Sequence, residues 1–227
     1  MSKIVILGAG ISGHTAAAHL RRKLSNEHEV LVVSPNRNYQ WVPSNIWVGI
    51  GRMKSKDVIF PLEPLYKRKE IGYKQAKVVS FHPEGDTKES KPYVLVEGVF
   101  GDAIGKQEIV TYDYLINATG PKLAFELTEG LLPGTNKTYS VCTYDHAEHA
   151  SKALHELINK LKKTTQKAKI LIGTGNAKAT CQGAAFEYIL NVEKELVKFG
   201  IRDKVDITWI SNEHELGDFG MDGMLLT

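Results

Sequence analysis

The chain has 227 residues, 42% of them hydrophobic and 24% charged, so it can bury a sizeable core in one or two domains of ordinary soluble composition. The net charge of +3 comes from lysines scattered along the chain, which excludes the one-faced basic patch of a nucleic-acid binder. Two cysteines, Cys142 and Cys181, exclude a disulfide scaffold and a CxxC zinc knuckle, and no metal site is expected.

The first residues run straight into an apolar segment without the charged and apolar regions of a secretory signal, so cytoplasmic synthesis is expected. No apolar run approaches the roughly 18 to 20 residues of a membrane-crossing helix, so any membrane contact is expected to be peripheral.

"KIVILGAG" from Lys3 reads as a fully buried strand, followed by a helix over Ile11–Leu24 and a strand over Glu29–Ser34, a βαβ unit. Residues 36–51, "NRNYQWVPSNIWVGIG", show neither helical nor strand periodicity and read as a long functional loop. Alternation over 72–82, 91–99 and 108–118 predicts a small antiparallel sheet. A helix from Asp145 to Lys163, a strand over "KAKILIGTG", a helix over "ATCQGAAFEYILNVEKELVKFG" and a strand over "KVDITWIS" form a second βαβ unit.

The fold class expected is therefore α/β: a Rossmann-like dinucleotide-binding domain with inserted antiparallel strands over 1–138, then an incomplete second Rossmann-like domain over 139–227. The second domain offers two clear strands of a sheet that normally needs four or more, which reads as a truncated or processed protein.

"GAGISG" places Gly8, Gly10 and Gly13 between a strand and a helix. Gly8 would permit the tight turn, Gly10 the approach of a pyrophosphate, and Gly13 close packing of helix on strand. The pyrophosphate would sit on the helix N-terminus at Ile11 and Ser12, where unpaired N–H groups and the dipole favour negative charge. The acidic residue expected at the end of the second strand is replaced by Ser34, followed by Pro35 and, three positions on, Arg37. On motif reasoning alone a serine with a nearby arginine would suit the 2′-phosphate of NADP, while an N-terminal fingerprint followed by "YLINATG" favours FAD.

"NYQWVPSNIWVGIG" (38–51), "YDYLINATGPKLAFE" (112–126), "VCTYDHAEHA" (141–150) and "ATCQGAAFEY" (179–188) resemble the sulfide:quinone oxidoreductases, of the two-dinucleotide-domain flavoprotein superfamily. The resemblance covers what looks like the N-terminal half of that family. It implies FAD at the glycine turn, with Ser34 on the adenosine side. It implies that a loop with Trp41, Val42 and Pro43 covers the flavin and that Ala118, Thr119 and Gly120 turn the chain beside it. Sulfide and quinone are the implied partners, with peripheral membrane association through a C-terminal part and a possible homo-oligomer.

In a pyridine-nucleotide reductase the second βαβ turn would read GxGxxG, whereas Lys178 stands here at the third glycine position. Near a helix N-terminus and beside Lys178, Cys181 is expected to favour its thiolate, the reactive form. The resemblance implies that Cys181 is one of two redox cysteines, its mate lying in the C-terminal half, that Cys142 is a third cysteine near the flavin, and that Glu187 handles protons. Six helical residues turn about 240°, so Glu187 need not share a face with Cys181. His146 is family-like, with a structural hydrogen-bonding role as its alternative. The competing readings are a type II NADH:quinone dehydrogenase-like reductase, against which Lys178 argues, and a truncated flavin-binding fragment without turnover.

Overall fold

The structure, a computed structural model, describes residues 1–174, 176, 179 and 182–212. It divides into two compact units, Met1–Gln40 with Ile59–Lys122, and Trp41–Val58 with the residues from Leu123 onward.

The first unit is built on β1 (Lys3–Leu7), which pairs in parallel with β2 (Glu29–Ser34) on one side. Because side chains alternate along a strand, an apolar run must bury both faces. Ile4 and Ile6 of β1 join Val30 and Val32 of β2 in one cluster, and Val5 and Leu7 join Leu31 and Val33 in another. The first face is covered by α1 (Ile11–Lys23), which presents Ala17 and Leu20, small and apolar residues one turn apart. Three basic residues in its last turn oppose the negative end of the dipole, and the Arg21 guanidinium donates to the carbonyls of Leu24 (3.0 Å) and His28 (2.8 Å).

The segment read as an irregular loop is ordered locally. β3 (Asn38–Gln40) pairs antiparallel with β4 (Ile59–Pro61), a 3₁₀ turn spans Val42–Ser44, and a short helix, α2, spans Asn45–Gly49. Five- and three-residue elements are too short to display a period, which is why the pattern was invisible. A further helix, α3 (Leu62–Arg68), buries Leu62 and Tyr66 against the first face.

The antiparallel strands form no separate sheet. β5 (Gly72–His82) pairs in parallel with β2 over its first residues and then antiparallel with β6 (Tyr93–Gly98), which pairs with β7 (Gln107–Thr111). The expected strand 108–118 is two strands: β7, and β8 (Tyr114–Asn117), which lies parallel to β1 on its other side. The turn between them is pinned where the Asp113 carboxylate accepts from the Lys3 N–H at 2.7 Å. The result is one six-stranded mixed sheet in the order β7-β6-β5-β2-β1-β8, an α/β Rossmann-like arrangement with antiparallel strands at one end.

In the second unit α4 (Tyr144–Lys162) buries Ala147, Ala150, Leu154, Ile158 and Leu161, a stripe at spacings of three and four. β9 (Ala168–Gly173) and β10 (Val205–Ile210) run parallel, connected through α5 (Gln182–Lys198). Ala168, Ile170, Ile172, Val205 and Ile207 pack with α4, with Val192 and Leu196 of α5, and with Ile50. Segment 41–58 belongs to this unit because Ile50 and the apolar side of α2 are buried here.

Candidate functional site

The end of β1 turns at Gly8, whose φ of +96° is open to glycine and strained for other residues. The Gly8 N–H donates to the Val33 carbonyl at 2.7 Å, and the Ala118 N–H donates to the Leu7 carbonyl at 2.8 Å, so the turn is clamped by both neighbouring strands. A Cβ at Gly8 would lie 2.2 Å from the Ala118 oxygen, and one at Gly13 would lie 2.0 Å from the Gly8 oxygen. Both glycines are therefore demanded by the protein's own packing.

Gly10 is different. Its φ is −73°, which any residue adopts, and a Cβ there would meet nothing within 4 Å among the described residues. Gly10 is the N-cap of α1, with no capping side chain and no acidic residue in the first turn, while Ile11 and Ser12 are exposed. The first N–H groups of a helix have no intrahelical acceptor and carry the positive end of the dipole. The turn thus offers open space and backbone donors to an anion that comes close to Cα, which fits the pyrophosphate of a dinucleotide.

Beside it, β2 ends at Ser34, which is fully buried and whose hydroxyl accepts from the Asn36 N–H at 3.3 Å. Pro35 is exposed, and its carbonyl accepts from the Gln75 amide at 3.3 Å. The Tyr73 hydroxyl donates to the Asn36 carbonyl at 2.6 Å. The Arg37 guanidinium lies 5.8 Å above the Phe100 ring, a cation–π position that gives it a partner within the protein. β8 ends at Asn117, whose side-chain oxygen accepts from both the N–H (3.3 Å) and the hydroxyl (2.9 Å) of Thr119. Gly120 follows at φ +71°. Gly8, Gly13 and Ala118 are brought into contact, and Asn117, whose role only the fold reveals, shapes the turn beside them.

Behind the glycine turn, the half-buried His14 ring has Nδ1 3.1 Å from the Tyr66 hydroxyl and packs against Tyr39 and Phe60. Burial, and then the positive charge of Lys69, hold its pKa below the ordinary imidazole value of 6.5. The native state therefore binds fewer protons at His14 than the unfolded chain between the lowered value and 6.5, and stability rises with pH across that window. We expect urea midpoints to be level above about pH 6.5, to fall as pH drops from there toward the lowered value and to level off below it, with a shallower slope in His14→Gln. Equal slopes in the two proteins would refute this account of His14.

In the second unit Trp41 and Val42 are exposed at 47% and 45%, large values for such residues, and Pro43 is exposed beside them. Cys142 is a free, exposed cysteine just before the N-cap of α4, its N–H donating to the Ser140 hydroxyl at 3.0 Å. The N-cap is Thr143, which accepts from the His146 N–H at 3.4 Å, and the His146 ring stands edge-on to Phe125 at 5.6 Å. Glu187 is exposed on α5. Cys181 and Lys178 lie outside the described residues.

Sequence reasoning missed two groups here, Tyr188 and Glu195. The Tyr188 hydroxyl donates to the Gly49 carbonyl at 3.1 Å. Glu195, 2% exposed on the apolar side of α5, pairs with Arg52 at 2.5 Å and with Lys198 at 3.7 Å. The signal for Glu195 was a carboxylate on a stripe otherwise marked by Val192 and Leu196.

The pyridine nucleotide-disulphide oxidoreductase family matches residues 2–192. The chain is similar to the sulfide-quinone reductase of Aquifex aeolicus, 31% identical over 221 residues that make up 97% of this chain and 45% of that protein. It is also similar to the mitochondrial sulfide:quinone oxidoreductase of Dictyostelium discoideum, at 29% identity over 93% of this chain and 42% of that one. The crystal structure of the Aquifex aeolicus sulfide:quinone oxidoreductase superposes with a TM-score of 0.78 at 30% identity, covering 98% of this chain and 46% of that chain. The chain thus spans less than half the length of these relatives. The matched family and the sulfide:quinone oxidoreductases are FAD-binding flavoproteins.

Proposed function

The chain belongs to the pyridine nucleotide-disulphide oxidoreductase family, and on that premise we propose that it is the FAD-binding part of a sulfide:quinone oxidoreductase. The observation that carries the flavin is Gly10, a glycine that neither its backbone angle nor its surroundings require. The likeness over 97% of the chain to a sulfide-quinone reductase supports the substrate.

In this reading Gly10, Ile11 and Ser12 take the pyrophosphate on the N-terminus of α1, and Gly8 and Gly13 give the turn the close packing that brings it there. The exposed Pro35 faces the adenosine side, with the buried Ser34 shaping the turn beneath it. Ala118, Thr119 and Gly120 turn the chain beside the cofactor, and the exposed Trp41, Val42 and Pro43 supply an apolar cover that keeps water away. FAD, when bound, supplies a two-electron acceptor between sulfide and quinone.

Cys181 is the proposed sulfur-handling thiol. Hydrosulfide attacks a disulfide or polysulfide bond to Cys181; one S–S bond forms as another breaks, and the displaced sulfur leaves as a thiolate. Cys142 is proposed as an accessory thiol, Glu187 as a proton carrier and His146 as a group that orders the start of α4. The division of the chain into a FAD-binding domain over 1–138 and an NAD-domain-like part over 139–227 is part of this proposal. Among the described residues no helix is long and apolar enough to cross a membrane, and membrane association and oligomer formation belong to the whole protein as proposals.

The test is the visible spectrum of the purified protein under anaerobic conditions, with stoichiometric sulfide in one sample and NADH in another. Bleaching by sulfide and not by NADH is expected. Bleaching by NADH alone would replace this reading with an NAD(P)H reductase, and a flavin that ignores both would leave a binding fragment.

A further inference from the structure

Segment 41–58 forms a small body closed by its own backbone hydrogen bonds. The Val42–Ser44 turn runs directly into α2, the Trp41 N–H donates to the Val58 carbonyl at 2.7 Å, and the N–H groups of Arg52 and Met53 donate to the Trp47 carbonyl at 2.9 and 3.2 Å. Asn45, Ile46, Val48 and Gly49 of α2 are buried.

Two polar ties fasten this body to α5. One is the Arg52–Glu195 pair. The other is Tyr188, whose hydroxyl reaches the Gly49 carbonyl at the end of α2. A Cβ at Gly49 would lie 2.8 Å from Val141 Cγ1 and 2.9 Å from Tyr188 Cε2, so the glycine leaves room for no more than the ring already there. The Gly49 carbonyl belongs to the last turn of α2, where a helix leaves carbonyls without intrahelical donors. Tyr188 supplies the missing donor, and burial pushes its phenol pKa above the ordinary value, so the hydroxyl keeps its proton throughout the working pH range.

We propose that Tyr188 is a positioning residue, which through Gly49 holds the turn bearing Trp41, Val42 and Pro43 in register with α5, the helix that follows Cys181 in the chain. The inference rests on the reading of that turn as the flavin's cover. It assigns Tyr188 no contact with substrate or flavin. It also separates Tyr188 from its neighbour Glu187, which is exposed.

The experiment compares wild-type and Tyr188→Phe flavin-loaded protein, since phenylalanine keeps the ring and removes only the donor. The limiting rate of flavin bleaching by sulfide is expected to fall about tenfold, the fold-change that follows when the stabilisation lost with one buried hydrogen bond is lost from the transition state. Half-saturation by sulfide and flavin affinity should stay unchanged. An unchanged limiting rate overturns the inference. If sulfide fails to bleach the wild type, the proposed function falls instead, and amide hydrogen exchange decides the inference separately. Amides of 45–50 exchanging about tenfold faster in Tyr188→Phe, with 154–161 unaffected, would uphold it. Unchanged exchange at 45–50 would overturn it.

Discussion

Replacing Gly8 by alanine is expected to destabilise the first unit by about 2–6 kcal/mol, whereas replacing Gly10 is expected to cost at most about 1 kcal/mol. The Gly8 cost has two parts. A side chain at φ +96° is strained by roughly 1–3 kcal/mol, and a methyl placed 2.2 Å from the Ala118 oxygen must push β8 away from β1 for about 1–3 kcal/mol more. Against a domain stability of about 5–15 kcal/mol, that is a large fraction. Gly10 meets no neighbour and has ordinary backbone angles, so Gly10→Ala loses only the small N-cap preference of glycine over alanine. Its methyl would nevertheless stand where the pyrophosphate approaches, and FAD affinity should fall at least about tenfold, or 1.4 kcal/mol. Urea denaturation and flavin titration of the two variants measure both quantities. A Gly10→Ala protein that binds flavin like wild type would remove the main support for the cofactor site.

Cys181→Ser is expected to abolish bleaching of the flavin by sulfide while leaving flavin binding and reduction by dithionite intact. A hydroxyl is not ionised near neutral pH and cannot form the S–S bonds on which exchange depends. Cys142→Ser should retain part of the activity, since that thiol is proposed as accessory. The pair is informative because both variants make the same small chemical change in different places. Anaerobic stopped-flow with the holoprotein reads it directly. Full sulfide-driven reduction in Cys181→Ser would end the thiol route.

The first βαβ unit was legible because its signals are local. "KIVIL" and "VLVV" are apolar on both faces, and GAGISG sits at the junction of strand and helix, where its three glycines can be assigned separate tasks from spacing alone. The structure refines those tasks: Gly8 and Gly13 answer to packing, and Gly10 alone is left for a ligand. The 41–58 segment was legible only as aromatic and irregular. Its short strand, turn and helix have no measurable period, and its attachment through Gly49 and Arg52 joins residues more than 130 positions apart. The antiparallel strands were found by alternation, but alternation carries no information about partners. It could not show that β5 changes from parallel to antiparallel pairing along its length, or that 108–118 contains two strands on opposite sides of the sheet.

By itself, then, the sequence determined the α/β class and the glycine turn, since each is written in consecutive residues whose spacing matches a strand or helix repeat. Only the tertiary structure decided which glycine is spare, which strands neighbour β1, and that Tyr188 and Glu195 tie α5 to the Trp41 segment. The physical reason is the range of the forces involved. Steric exclusion and hydrogen bonding act over a few ångströms of space, and the chain positions they join become neighbours only when the core closes.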